Sequence, residues 1–293
     1  MDRFFTWIVA PGFFGSQPVQ VAIVIGGLAA MVSGVVGVFT VIRGQSFGGH
    51  ALTDVATAGG SGAVLFGLSP LFGFVGLGVV GAGVMEMIGV RRLRGRDLAT
   101  GVVLGASTGL AALFLYLDAT TSGTTAGATQ QILFGSIFTV DSSMLPIVIG
   151  FGAVAMGIVA AVYRPLLLSS VSDDIAAARG VPLRGIGLLF MLALAVSVAL
   201  SALTIGAILS TALLVGPAAI ALRLTARPGV AIVLACAIGV AVTWAGVLLA
   251  YDSYTWGSSR QGFPVSFFIV ALVFLLYVAS AVVRPRALHR GGG

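Results

Sequence analysis

His50 and Asp54 are the side chains in this sequence whose types and spacing best suit chemistry. Four residues apart, they share one face of a helix, with Cβ atoms about 5–6 Å from each other. An imidazole and a carboxylate so placed can grip one divalent cation. Two ligands make a weak site, but a two-fold dimer would bring a second pair to its axis and so provide four. The same two groups can instead make a structural hydrogen bond near a helix end. Glu86 is the third ionisable group within an apolar stretch, and it can pair with the Arg91–Arg96 cluster that follows it. A carboxylate at the centre of a membrane helix costs roughly 2.5–3.5 kcal/mol on insertion scales, which makes such residues functional candidates by default.

The elements that must position these groups are membrane helices. Of the 293 residues, 58% are hydrophobic and only 8% charged, whereas soluble domains run near a quarter charged. Val19–Ile42 and Pro264–Val283 carry no charge at all, and each exceeds or matches the roughly 20 residues that cross a bilayer as a helix. The 42 glycines suit close helix packing in lipid. The alternation that a β-barrel requires is absent. We therefore expect an all-α, polytopic helical bundle in one domain over 1–293, with nine spans near 19–42, 48–68, 71–90, 98–117, 144–163, 185–203, 206–222, 229–250 and 264–283.

All 15 basic residues are arginine. With the N-terminus outside, only Arg3 and Arg260 fall on the external side, and the rest mark cytoplasmic turns and a cytoplasmic C-terminus. The net charge of +6 is thus explained by topology and by anionic lipid, with no nucleic acid needed. The first apolar stretch is broken by Pro11, Gly12 and Gly15, unlike a cleaved signal. Asp118, Asp141 and Asp252 fall in expected external loops. ILFGSIF, at 132–138, is too short to span and reads as a re-entrant or surface helix. The short bend between 203 and 206 suggests half-helices around it. Cys236, the single cysteine, reads as packing.

Enzyme signatures are missing: there is no HExxH pair and no GxSxG elbow. Without lysine the chain cannot hold a nucleotide through GxxxxGK[ST], so any ATP-driven step needs another subunit. One cytoplasmic segment is suited to receive it. In SSVSDDIAAARGVP, Ser172 can cap a short helix, Asp173 and Asp174 favour its positive end, and Gly180 with Pro182 stops it. Ala176, Ala177 and Ala178 would give it an exposed, low-relief surface. Two turns are marginal alone in water; the segment is either a docking element or an ordinary surface turn.

Three stretches are distinctive together: QSFGGHALTDVATAGG followed by LFGLSP; QILFGSIFTVDSSML; and the run from Asp173 to Leu224, with Gly206, Leu209, Leu213, Leu214, Pro217, Ala218 and Ala219. In these the chain resembles the permease subunits of the ABC importers for zinc, manganese and related metals, from about Val19 to Val283. The resemblance implies a homodimeric permease of the cell membrane. An extracytoplasmic metal-binding protein would deliver Zn2+ or Mn2+, and ATP would be hydrolysed by a partner ATPase subunit. Counting back from Pro70 puts the family's His at Asp54 and its Asp at His50, so the metal-path pair stands in reversed order. The resemblance also makes 172–180 the coupling helix, through Ser172, Asp173, Asp174, Ala176, Ala177, Ala178, Arg179 and Gly180, and gives Arg91–Asp97 as a second cytoplasmic turn. Imidazole suits zinc and carboxylate also suits manganese; the balance leans to zinc. The alternative is a secondary transporter with His50, Asp54 and Glu86 as a proton relay.

Overall fold

The uncharged runs fold as long helices because lipid-facing backbone must satisfy its hydrogen bonds internally. The computed structural model describes residue 13 and residues 15–88, 96–121, 126–135, 137–254 and 262–283. Twelve α-helices follow one another: α1 (Gln17–Ile42), α2 (Ser46–Leu65), α3 (Pro70–Ile88), α4 (Arg96–Thr121), α5 (Ala126–Phe134), α6 (Leu145–Ala161), α7 (Tyr163–Val171), α8 (Asp173–Ala178), α9 (Leu183–Ile205), α10 (Ser210–Leu224), α11 (Pro228–Ser253) and α12 (Val265–Val283). No strand occurs among the described residues. Among the described residues, seven helices are long and apolar enough to cross a membrane. The expected spans at 48–68 and 206–222 correspond to α2 and α10; α2 is enriched in small and polar residues, and α10 has only 15 residues.

α1 and α9 form the centre and are mostly buried, whereas α4, α6 and α12 present broad apolar faces outward. The main core joins Ile25, Val32 and Phe39 of α1, Leu52 and Ala56 of α2, Phe74 of α3, and Phe190 and Leu194 of α9. A second cluster seats α11 and α12 against α1 and α10 through Ala30, Leu213, Val242 and Ile269. Polar side chains within this core bond one another: the Ser33 hydroxyl of α1 lies 2.8 Å from that of Ser201 and 3.3 Å from that of Ser197, both on α9.

Glycine sets the closest approach. A Cβ on Gly59 of α2 would collide with the Gly73 carbonyl of α3, and one on Gly73 with the Gly59 carbonyl, so the two backbones lie in direct contact. Helix ends are equally local in origin. Gly44 adopts φ 62° after α1; its N–H donates to Val41 and that of Gln45 to Thr40 (2.8 Å), the paired bonds of a glycine-terminated helix. α2 starts one residue later.

Several boundaries differ from expectation. α4 runs four residues past the expected end of its span, so Asp118 lies on a helix and is buried, not solvated in a loop. Asp252 is likewise half-buried in the last turn of α11. Asp141 is exposed, but it caps the short 3-10 turn Ser142–Met144. The Ser143 backbone N–H (2.8 Å) holds its carboxyl below the usual carboxylate range. In ILFGSIF the helix ends before Gly135 and a turn follows; the helical residues lie earlier, at Ala126–Phe134. At 203–206 only the second segment is short: α9 runs unbroken to Ile205, and Gly206 (φ 84°) turns the chain. That turn is held by α5, with the Ala207 N–H donating to the Ile132 carbonyl (2.9 Å).

Candidate functional site

α2 carries the candidate pair on a polar face. At 100° per residue, His50, Thr53, Asp54, Thr57 and Ser61 fall on one side of the helix. Three of these polar groups are satisfied inside α2 itself. Thr53 donates to the Gly49 carbonyl (3.0 Å), Thr57 to that of Thr53 (2.7 Å) and Ser61 to that of Thr57 (2.8 Å). Such back-bonding lets a hydroxyl sit in apolar surroundings at small cost. All three are buried.

His50 and Asp54 are half-buried and reach away from α2. His50 Nδ1 lies 3.0 Å from the hydroxyl of Thr211, in the first turn of α10. Asp54 Oδ2 accepts a hydrogen bond from the Thr108 hydroxyl of α4 at 2.9 Å. The two residues share a helix face as their spacing predicts, yet each is tied to a different neighbouring helix. With Nδ1 engaged, Nε2 is the ring nitrogen that remains for a cation, while Asp54 retains its second oxygen. A ligating histidine typically has its other ring nitrogen fixed in this way by a hydrogen-bond partner.

Thr108 and Thr211 were not foreseen. Each is one small polar residue in an apolar helix, and nothing in local spacing connects either to α2. Glu86 lies in the last turn of α3 and is half-buried. Its expected partners at 91–95 lie outside the described residues, as does the Arg96 side chain, and with them most of the turn expected at Arg91–Asp97. Among the described residues no three His, Cys, Asp or Glu side chains come together as a metal-holding group, so Glu86 does not complete a cluster with His50 and Asp54.

The segment 172–180 forms a short helix, α8, with the termini that its residues prescribe. The Ser172 hydroxyl accepts from the Ile175 N–H (3.3 Å), and Asp173 and Asp174 stand in the first turn. At the far end Gly180 adopts φ 76° and Val181 N–H returns to the Ala176 carbonyl (3.1 Å). Its surface differs from expectation. Ala176 is fully buried, because the helical turn aims it at the protein; Ile175, Ala177, Ala178 and Arg179 are exposed, and Val171 just before them is 77% exposed. The exposed surface therefore raises apolar side chains at Ile175 and Val171 beside the charged Asp173, Asp174 and Arg179, and is not a flat strip of three alanines. At the opposite end of the bundle, a cavity of about 340 Å³ opens among Gln131, Thr139, Thr204, Tyr254 and Phe263, with no carboxylate or imidazole among its described lining residues.

The model of the ABC 3 transport family matches residues 16–283 of the chain. The chain belongs to the ABC 3 transport family. The manganese transport system membrane protein MntC of Halalkalibacterium halodurans is 31% identical over 227 residues, 77% of this chain and 76% of that protein. The manganese import system permease protein ScaB of Streptococcus gordonii is 28% identical over 266 residues, 90% of this chain and 89% of its own length. In fold, the chain is similar to one from the structure of PsaBC from Streptococcus pneumoniae in complex with Fab. The TM-score is 0.80 at 22% identity, over 99% of this chain and 98% of that one. Membership in the ABC 3 transport family makes this a multi-pass membrane protein of an ABC transporter, and the two relatives bear the names of a transport-system membrane protein and an import-system permease.

Proposed function

We propose that this chain is the membrane-spanning permease subunit of an ATP-driven importer of Mn2+ or Zn2+, working as a homodimer. ATP would be hydrolysed by a separate ATPase subunit, and an extracytoplasmic metal-binding protein would deliver the ion. The observation that carries this reading is the α2 face. The hydroxyls of Thr53, Thr57 and Ser61 are bonded within the helix, whereas His50 and Asp54 bond to neighbouring helices. The ion is held by these two residues in passing, with a second copy supplying another pair. Carboxylate and imidazole donors fit both metals, and the names of MntC and ScaB make manganese the first candidate.

Docking of the ATPase on α8, through Ile175, Ala177 and Ala178, is supported by a helix too short to be stable alone that nonetheless presents apolar side chains. The orientation with the N-terminus outside and the C-terminus cytoplasmic rests on arginine placement. Arg43, Arg164, Arg179, Arg184, Arg223 and Arg227 stand at or beside the helix ends that this topology assigns to the cytoplasm of the cell membrane.

The test is cellular metal content measured by elemental mass spectrometry in metal-starved cells. The cells express this chain with its ATPase and binding protein, beside an Asp54→Ala version. A selective rise in manganese or zinc, abolished in the variant although the dimer still assembles, is the expected result. No rise in any metal with every subunit assembled would reject the reading and favour the proton-coupled alternative.

A further inference from the structure

Arg43 follows α1 and by sequence serves only as a marker of the cytoplasmic side. In the structure it is half-buried and bound on two sides. Its Nη1 donates to the Ser169 hydroxyl at 2.8 Å and reaches that of Ser170 at 3.5 Å. Both serines donate their own protons to the Leu166 carbonyl, at 3.1 and 2.6 Å, which leaves their oxygen lone pairs to the guanidinium. The guanidinium carbon stands 5.5 Å from the centre of the Phe190 ring of α9, within cation–π range. Phe39 of α1 meets the rings of Tyr163 (5.8 Å) and Phe190 (6.5 Å) edge-on, closing the junction.

The two ends of this contact matter. Ser169 and Ser170 occupy the last turn of α7, and Ser172, which caps α8, follows directly; its N–H donates to Leu168 at 3.2 Å, so α7 and α8 are joined without slack. On the other side only Gly44 and Gln45 separate Arg43 from α2, and the bonds from Gly44 to Val41 and Gln45 to Thr40 fix that turn. His50 lies in the second turn of α2. Two serine hydroxyls and an aromatic ring receive the half-buried guanidinium. The contact is a clasp made by one guanidinium nitrogen and the planar group beside the Phe190 ring, a geometry that the ammonium of lysine does not reproduce.

We propose that Arg43 is the positioning residue that transmits movement of α7–α8, the ATPase-docking segment, to α2, the helix of His50 and Asp54. This rests on the permease reading above. The test uses the full complex, with ATPase and binding protein, in proteoliposomes, measuring radiolabelled Mn2+ moved per ATP hydrolysed. Wild type, Arg43→Ala, Arg43→Lys and the double variant Ser169→Ala/Ser170→Ala are compared. Arg43→Ala is expected to co-purify with the ATPase and to hydrolyse ATP while moving at least tenfold fewer ions per ATP. The double serine variant should reproduce the defect, and Arg43→Lys should recover only part of the ratio. An unchanged ratio in Arg43→Ala would overturn the proposal. So would hydrolysis and transport falling together with the yield of assembled complex, which is what a purely structural arginine predicts. Failure of the permease reading shows instead in the wild type, as absence of ATPase binding or of transport, and the proposal falls with it.

Discussion

Replacing Thr211 with valine removes one oxygen from the first turn of α10 and nothing else of consequence. Valine keeps the β-branch and nearly the same volume, so the packing of Thr211 beside His50 is retained while the 3.0 Å contact to Nδ1 is lost. The stability cost should be that of one neutral hydrogen bond, about 1 kcal/mol. Because His50 is only half-buried, water can take up part of the loss. The effect on cargo should be larger than the effect on folding. Removing the partner that orients a ligating imidazole typically weakens metal binding or activity by about 10–100-fold. We expect the metal concentration for half-maximal uptake to rise roughly tenfold, equivalent to about 1.4 kcal/mol. Uptake of radiolabelled Mn2+ by cells is the assay, with chain abundance measured in the same membranes. Thr211→Ser, which keeps the hydroxyl, should stay close to wild type. If Thr211→Val leaves half-saturation within twofold of wild type while His50→Ala abolishes uptake, the Thr211 contact does not orient the metal-facing nitrogen and the reasoning fails.

Two further outcomes follow from the fold. Gly59→Val places side-chain atoms where the Gly73 carbonyl stands, and forced overpacking of this kind costs about 1–3 kcal/mol or more; the thermal midpoint of the purified chain in detergent should fall by several degrees, and an unchanged midpoint would show that α2 and α3 separate without penalty. Ala177→Arg, on the exposed side of α8, should weaken or uncouple ATPase binding with little effect on chain stability, whereas Ala176→Arg, at a fully buried site, should destabilise the chain itself. Co-purification and thermal melting separate the two, and equal behaviour of both variants would refute the observed facing of α8.

The sequence announces a bundle of membrane helices because lipid imposes a strong and local demand: about 20 apolar residues per span and arginine kept to one side. The termini of α8 were legible for a similar reason, since Ser172 and Gly180 act within a few residues of themselves. Facing was less so. Three consecutive alanines carry no amphipathic signal, and only the packing of α8 onto its neighbours decides that Ala176 is inward and Ala177 outward. The candidate site divides along the same line. The spacing of His50 and Asp54 predicts their common face, but their partners Thr108 and Thr211 lie 54 and 161 residues away in sequence and are chosen by tertiary packing alone. By sequence Asp118 falls in a loop, because a carboxylate ends an apolar run, whereas α4 continues for another turn and buries it.

The back-bonds of Thr53, Thr57 and Ser61 give α2 a mechanical asymmetry. The carbonyls of Gly49, Thr53 and Thr57 each accept a side-chain hydroxyl in addition to the helical N–H, four residues apart along one edge. A carbonyl shared between two donors holds each less tightly, and back-bonding of this kind favours bending. With these shared carbonyls α2 is softer along the edge that carries His50 and Asp54 than along the other, so that bending of the helix has a preferred direction.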